Sequence, residues 1–425
     1  MDFSLSSSLV GSAVSNPDKL ALDLQFATDK TLTARKGPTP TFTRASSGTF
    51  VGSDGLIQSA GNNVARFDHD PITLACRGLL IEESRTNLVI QSEDFGTSWS
   101  TDGGKVAVST NVIASPSGVI TADKITENSI LLERKILIGS VTAVAATVYT
   151  FSCYLKAGER NFAQLAFGTT FGSQFQNFII GGVNAGTLGS GSGVTSPQIT
   201  ALPNGWYRCT ATVTSAGSGS TQVTIGPLDS STASRWAAYI GTVGSGIYAW
   251  GAQVEAGLFP TSYIPTTTTS VIRSADVCSI TGGAFSGFYN PLEGTMVTAS
   301  SINGLSSIIT NVASIESGTT IVIRTHYRAA QSNRLSAAVS GVTATPASNY
   351  NTANVVYRAA IAADATGADY VIDGTQITDV FTGSALTADN LKFTGSSAST
   401  SNNTISSLRY YKKRLPVAKL QTITV

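Results

Sequence analysis

Short runs of alternating hydrophobic and polar residues, broken by Gly, Ser, Asn and Pro clusters, recur along most of the chain. Tyr149–Lys156 is the clearest: Tyr149, Phe151, Cys153 and Leu155 fall on one face, and Thr150, Ser152, Tyr154 and Lys156 on the other. Period-two alternation over such a length predicts a half-buried strand. Trp206–Thr214, which follows the turn signal Pro203-Asn204-Gly205, puts Tyr207, Cys209, Ala211 and Val213 together. In Ile247–Glu255, Tyr248, Trp250, Ala252 and Val254 share a side opposite Gln253 and Glu255. Many short strands with no helical periodicity between them indicate sandwich or jelly-roll folds. Earlier, Leu22, Leu24 and Phe26 alternate with Asp23 and Gln25, and Phe42–Val51 leads into the turn signal Ser53-Asp54-Gly55. After the linker-like Thr266–Ser270, strands are predicted at Gly294–Ala299, Thr319–Tyr327, Val355–Ala363, Tyr370–Ile372 and Ile405–Tyr411, with a helical tail at Val417–Ile423.

The predicted organisation is an irregular attachment region over 1–86, a first sandwich over 87–280 and a second over 281–425. At 425 residues the chain exceeds what one core usually organises. Composition supports an all-β reading: charged residues make up 12 %, Gly numbers 41 and Met 2, a poor mixture for surface helices. A hydrophobic share of 42 % argues against disorder. The net charge of +1 provides no bulk attraction to nucleic acid or anionic membrane, and no apolar stretch approaches the roughly 20 residues of a membrane helix. The start, Met1-Asp2-Phe3-Ser4, lacks a secretory pattern. Cys76, Cys153, Cys209 and Cys278 are widely spaced, as suits reduced core thiols of a protein folded in a cytosol.

One ordered series of segments is distinctive. It runs through Phe42-Thr43-Arg44-Ala45-Ser46, Arg66-Phe67-Asp68-His69-Asp70-Pro71, Arg77-Gly78-Leu79-Leu80-Ile81-Glu82-Glu83, Arg85-Thr86-Asn87-Leu88 and Ser92-Glu93-Asp94-Phe95 with Trp99. It continues with Ser115–Gly118, Thr121–Lys124, Tyr154–Gly158, Asn204–Arg208, Trp250–Glu255 and Ser262–Thr266. Together these resemble the phage head-spike and tail-fibre family over roughly residues 42–280, and the later ones resemble a carbohydrate-binding jelly roll. Gly294–Val297, Tyr370–Gly374, Ile405–Tyr411, Arg414-Leu415 and Leu420 look like a concanavalin A-like, laminin-G type lectin sandwich. The resemblance implies a homotrimeric virion surface protein, on head or tail, folded in the host cytoplasm. Its N-terminal region would contact other virion proteins and its sandwiches host surface polysaccharide.

Catalytic chemistry finds little support in the residues. Histidine is limited to His69 and His326, and no nucleophile elbow accompanies them. No carboxylate pair is singled out for glycoside cleavage. The expectation is a chain that is not an enzyme and requires no cofactor. Sugar rings stack on aromatics, which makes Trp99, Tyr154, Trp236 and Tyr239 candidates in the first sandwich and Tyr289, Tyr327 and Tyr357 in the second. Aromatics in alternating strands are more often core, and Trp206 and Trp250 are read that way. Jelly-roll carbohydrate modules often carry a structural calcium. Glu93 or Asp94 with Gln253 or Glu255 would supply its oxygens, ordinary surface carboxylates being the favoured alternative. The expected function is glycan binding during adsorption; the rival is a structural capsid or tail connector that binds no glycan.

Overall fold

The alternation in Val148–Ala157 translates directly into a central strand whose Phe151, Cys153 and Leu155 enter a hydrophobic core. The computed structural model describes residues 18–304, 309–328, 334–340, 342–348, 350, 352–378, 386–393, 399–400 and 402–425. Strands take 51 % of the chain and helix 6 %, so the all-β class holds. The strands form two sandwiches.

One sandwich packs the sheet 198–201, 206–214, 148–157, 246–256, 120–127, 106–114 against the sheet 136–143, 219–228, 162–167, 175–179, 187–192. Every ladder in it is antiparallel. Phe167, Phe178, Val223 and Ile225 from one sheet meet Phe151, Leu155, Val213 and Val254 from the other.

The other sandwich is not confined to the C-terminal part. Its first sheet runs 375–377, 367–372, 357–364, 293–302, 402–411, 76–82, 67–69, with Leu20–Leu24 also paired to the strand Asn402–Tyr411. Its second runs 41–43, 277–281, 390–392, 309–317, 320–328, 334–339, 342–344. Leu22, Leu24, Phe26, Phe42, Leu79 and Ile81 therefore share one core with Met296, Ile315, Tyr370 and Tyr410. This corrects the predicted division. The described part of the expected attachment region, from residue 18, forms structural strands of the C-terminal sandwich; residues 1–17 lie outside the described residues. The chain leaves this framing sandwich at the strand Arg85–Asn87 and returns at Val271–Arg273, and these two strands pair, Asn87 opposite Val271. The jelly-roll-like sandwich is thus an insertion between two adjacent crossings.

A second departure concerns the alternation through Tyr248–Val254. Ile247 and Ala249 face the inserted core, but so do Ala252 and Val254. A bulge opposite Cys153 resets the register, with Gly251 at φ +64°. Trp250 is thereby turned to the outer face, where it packs with Tyr154, Trp206 and Tyr263 in a separate aromatic cluster. The tail Val417–Ile423 is helical as predicted. All four cysteines are unpaired. Among the described residues no helix is long and apolar enough to cross a membrane.

Candidate functional site

The two crossings between the sandwiches are fastened by a buried ionic cluster, of which Arg44, Arg66, Glu82 and Ser262 come from the ordered segments, while Arg273 and Asp276 lie beyond them. Asp276 accepts from Arg44 Nη1 at 3.1 Å, Arg66 Nη2 at 2.6 Å and the Glu82 backbone N–H at 2.8 Å. Glu82 faces Arg66 at 2.8 Å and Arg273 at 3.5 Å. It also accepts from the backbone N–H and the hydroxyl of Ser262, at 2.7 and 2.6 Å. Burial would raise the Glu82 carboxyl, but Arg273, Arg66 and the Ser262 hydrogen bonds hold it down at about 2. Asn87 bridges the same crossing: its amide donates to the Ala252 and Ile264 carbonyls, and its oxygen accepts from Val89 and Val254. These residues therefore act as fasteners, and the carboxylates of Asp276 and Glu82 are spent on partners within the protein.

Beside this cluster, a cleft of about 540 Å³ opens between the sandwiches. The framing sandwich contributes Asp68, Arg77, Leu80, Asn303, Asn354 and Asn402. The inserted sandwich contributes Tyr154, Ile199, Thr200, Arg208 and Thr210, and the hairpin 48–51/57–60 adds Phe50 and Ile57. Arg208 lies 5.3 Å from the Tyr154 ring centre and donates through Nη2 to Ser152 Oγ and the Thr261 carbonyl, at 3.1 and 2.8 Å. Arg77 bonds Asp70 at 2.7 Å and Asn354 at 3.1 Å. Asp68 accepts the Val51 N–H at 2.8 Å. Its burial pushes the carboxyl up to about 6, against that hydrogen bond and the Arg77 charge. An apolar wall with a few convergent polar groups is the usual make-up of a small-ligand site.

Of the residues selected from sequence, only Tyr154 lies on this cleft. Trp99 is buried, its indole N–H given to the Gln91 carbonyl at 3.1 Å and its ring packed edge-on against Phe95. Tyr239 is buried between Arg134 and Arg160. Trp236 is only partly buried, but Arg235 and Lys135 sit 3.2 and 4.1 Å from its ring centre, and its N–H is given to Thr224 Oγ1 at 3.0 Å. Its ring is thus engaged by the chain's own cations. Tyr289, Tyr327 and Tyr357 are all buried in the framing core, and Trp206 and Trp250 are buried as read.

The expected calcium oxygens do not converge. Glu255 is occupied by the Thr261 N–H at 2.9 Å, the Thr261 hydroxyl and the Gln253 amide at 2.7 Å. The Gln253 oxygen accepts from the Ile264 N–H at 2.6 Å. Glu93 accepts from the Tyr263 hydroxyl at 3.0 Å, while Asp94 turns back to the Gly96 N–H and the Thr97 hydroxyl. Among the described residues no group of three or more His, Cys, Asp or Glu is placed to hold a metal.

What defines this chain as a class is its own architecture: an all-β protein in which one sandwich is inserted into another, with a cleft at their junction. No protein family and no curated protein matches it. Among solved structures, it is similar to the Ruminococcus gnavus IT-sialidase CBM40 bound to alpha2,3 sialyllactose. That match has 13 % identity and a TM-score of 0.26, over 32 % of this chain and 83 % of that one. It is also similar to Trypanosoma rangeli sialidase, at 9 % identity and a TM-score of 0.29, over 71 % of this chain and 60 % of that one. The expectation that the chain is not an enzyme is corrected here, because an enzyme stands among its structural neighbours over most of its length. At such similarity no activity is carried over. The phage resemblance rests on the sequence segments alone.

Proposed function

We propose that this is a glycan-binding surface protein of a bacteriophage particle, a fibre or spike that contacts host polysaccharide. The observation that carries the binding part is the junction cleft, which pairs an aromatic and aliphatic wall with hydrogen-bonding side chains that no protein partner fully satisfies. Sugars present both an apolar ring face and a fringe of hydroxyls, and this wall is made for both. The virion part is supported by the ordered segments from Phe42 to Thr266. Display in three copies would raise avidity from weak single contacts.

The test is an array of bacterial surface polysaccharides probed with the purified full chain. Retention of at least one host polysaccharide is the expected result, and no binding to any of them refutes the reading in favour of a connector role. Sedimentation of the protein at three times its 43.9 kDa mass checks the trimer, and cryo-electron microscopy of the intact particle checks its place on the virion.

A further inference from the structure

Among the described residues, three polar side chains that line the cleft carry buried atoms with no hydrogen-bond partner. They are Asn402 Nδ2, Asn303 Oδ1 and Arg208 Nε. Asn402 is almost wholly buried, at 1 % exposure, so water from the bulk does not readily serve its amide. Leaving a buried donor unmade costs free energy, and a wall with several such groups is built for something that supplies the missing partners. The set is mixed. Asn402 Nδ2 and Arg208 Nε are donors, and Asn303 Oδ1 is an acceptor, joined on the same wall by the Asp68 carboxyl. A hydroxyl both donates and accepts, so a ligand with several hydroxyls satisfies both kinds at once.

The charge balance narrows the class. The charged residues on the cleft are Asp68, Glu82, Arg77 and Arg208, two of each sign. Glu82 is already neutralised by Arg66 and Arg273, and Arg77 by Asp70. Arg208 donates to the neutral Ser152 Oγ and Thr261 carbonyl, and Asp68 accepts the Val51 N–H, so the lining holds one further charge of each sign and no net charge that favours a carboxylate or sulfate. The volume of about 540 Å³ falls within the roughly 300–1,000 Å³ of small-molecule sites, and the edge strand Gln198–Ala201 leaves the mouth open.

We infer that the junction cleft is the glycan subsite and that it takes a neutral saccharide chain, held by Asn303, Asn402 and Arg208 with Tyr154 as part of its apolar wall. This deepens the glycan-binding reading and rests on it. Both sandwiches contribute to the subsite, so neither alone would bind.

The experiment measures binding of the full chain to immobilised neutral glycans (dextran, cellotetraose and galactan) and to acidic ones (polygalacturonate and sulfated dextran) at pH 7.5. Two variants close the cleft in different ways. Thr200→Trp fills the mouth from an exposed edge position, where folding is little at risk. Asn402→Leu removes the orphan donor. Trp236→Ala, remote from the cleft wall, is the control. The expected result is selective retention of a neutral glycan, weakened about tenfold by Asn402→Leu, weakened at least as much by Thr200→Trp, and unchanged by Trp236→Ala. Glycan binding that survives Thr200→Trp overturns the cleft as the site while leaving glycan binding intact. A preference for the acidic glycans overturns the neutral class. Binding to no glycan overturns this inference together with the function on which it rests.

Discussion

Replacing Asp276 by Asn tests the junction most directly. The change is isosteric and keeps an acceptor for the Glu82 N–H, but it removes one of two anions facing three buried guanidiniums, Arg44, Arg66 and Arg273. Arg44, Arg66 and Asp276 side chains have no exposed surface, and Glu82 and Arg273 are nearly as enclosed. Breaking a buried ion pair on one side costs roughly 3–5 kcal/mol, because the remaining charge keeps its desolvation penalty and loses its compensation. At roughly 2–4 °C per kcal/mol for a domain of about 200 residues, Tm should fall by about 6–20 °C. Differential scanning calorimetry at pH 7 reads this, and the lowered transition should be that of the framing sandwich, since Arg44, Arg66 and Glu82 all lie on its N-terminal strands or the turns beside them. Adding Arg44→Met should recover part of the loss by removing one unpaired cation. A Tm within about 2 °C of the parent protein would refute the reasoning, because the guanidiniums would then owe their neutralisation to something other than Asp276.

Four further outcomes follow from the same geometry. Asp68 titrates near 6 when folded against 3.8 in the free side chain. The folded state therefore binds more protons between those values, and stability falls as pH rises through that window, by about 3 kcal/mol in all. Glu82 behaves oppositely: its folded value of about 2 lies below 4.5, so its stabilisation is complete above pH 4.5 and lost as pH falls towards 2. Urea midpoints should thus peak near pH 4.5, and Asp68→Asn should flatten the decline from pH 4.5 to 7; an unchanged decline would remove Asp68 as its source. Excising residues 88–270 and joining Asn87 to Val271 through an Asn-Gly turn should leave a folded framing sandwich by circular dichroism and amide dispersion, because those ends are already paired. Deleting 1–86 should instead abolish folding of the C-terminal half, read by the same two measurements, since the strands Asn402–Tyr411 and Val277–Thr281 each lose the neighbours on one edge and the core loses Leu22, Leu24, Phe26, Phe42, Leu79 and Ile81. Gly251→Ala should cost about 1–3 kcal/mol in chemical denaturation, because a Cβ at φ +64° would stand 2.9 Å from the Tyr154 ring. A loss under about 0.5 kcal/mol would mean that the bulge relaxes freely.

Period-two alternation and turn chemistry were enough to read the strands as strands. Each residue's face in Val148–Ala157 or Trp206–Thr214 depends only on its neighbours along the chain, and Ser53-Asp54-Gly55 and Asp373-Gly374 close hairpins locally. The all-β class was likewise legible. Which sandwich a strand joins was not, because ladder partners such as Leu24 and Leu408 lie hundreds of residues apart, and nothing in a short strand names its distant neighbour. The bulge at Gly251, which swings Trp250 from the core to the outer face, arises from pairing with Val148–Ala157 and is invisible to alternation. The candidate site shows the same limit. Aromatic type pointed to Trp99, Trp236 and Tyr239, which the fold spends on packing and cation contacts. The cleft draws Asp68, Tyr154, Arg208, Asn303 and Asn402 from both sandwiches, and only tertiary structure decides which polar groups are left without a partner.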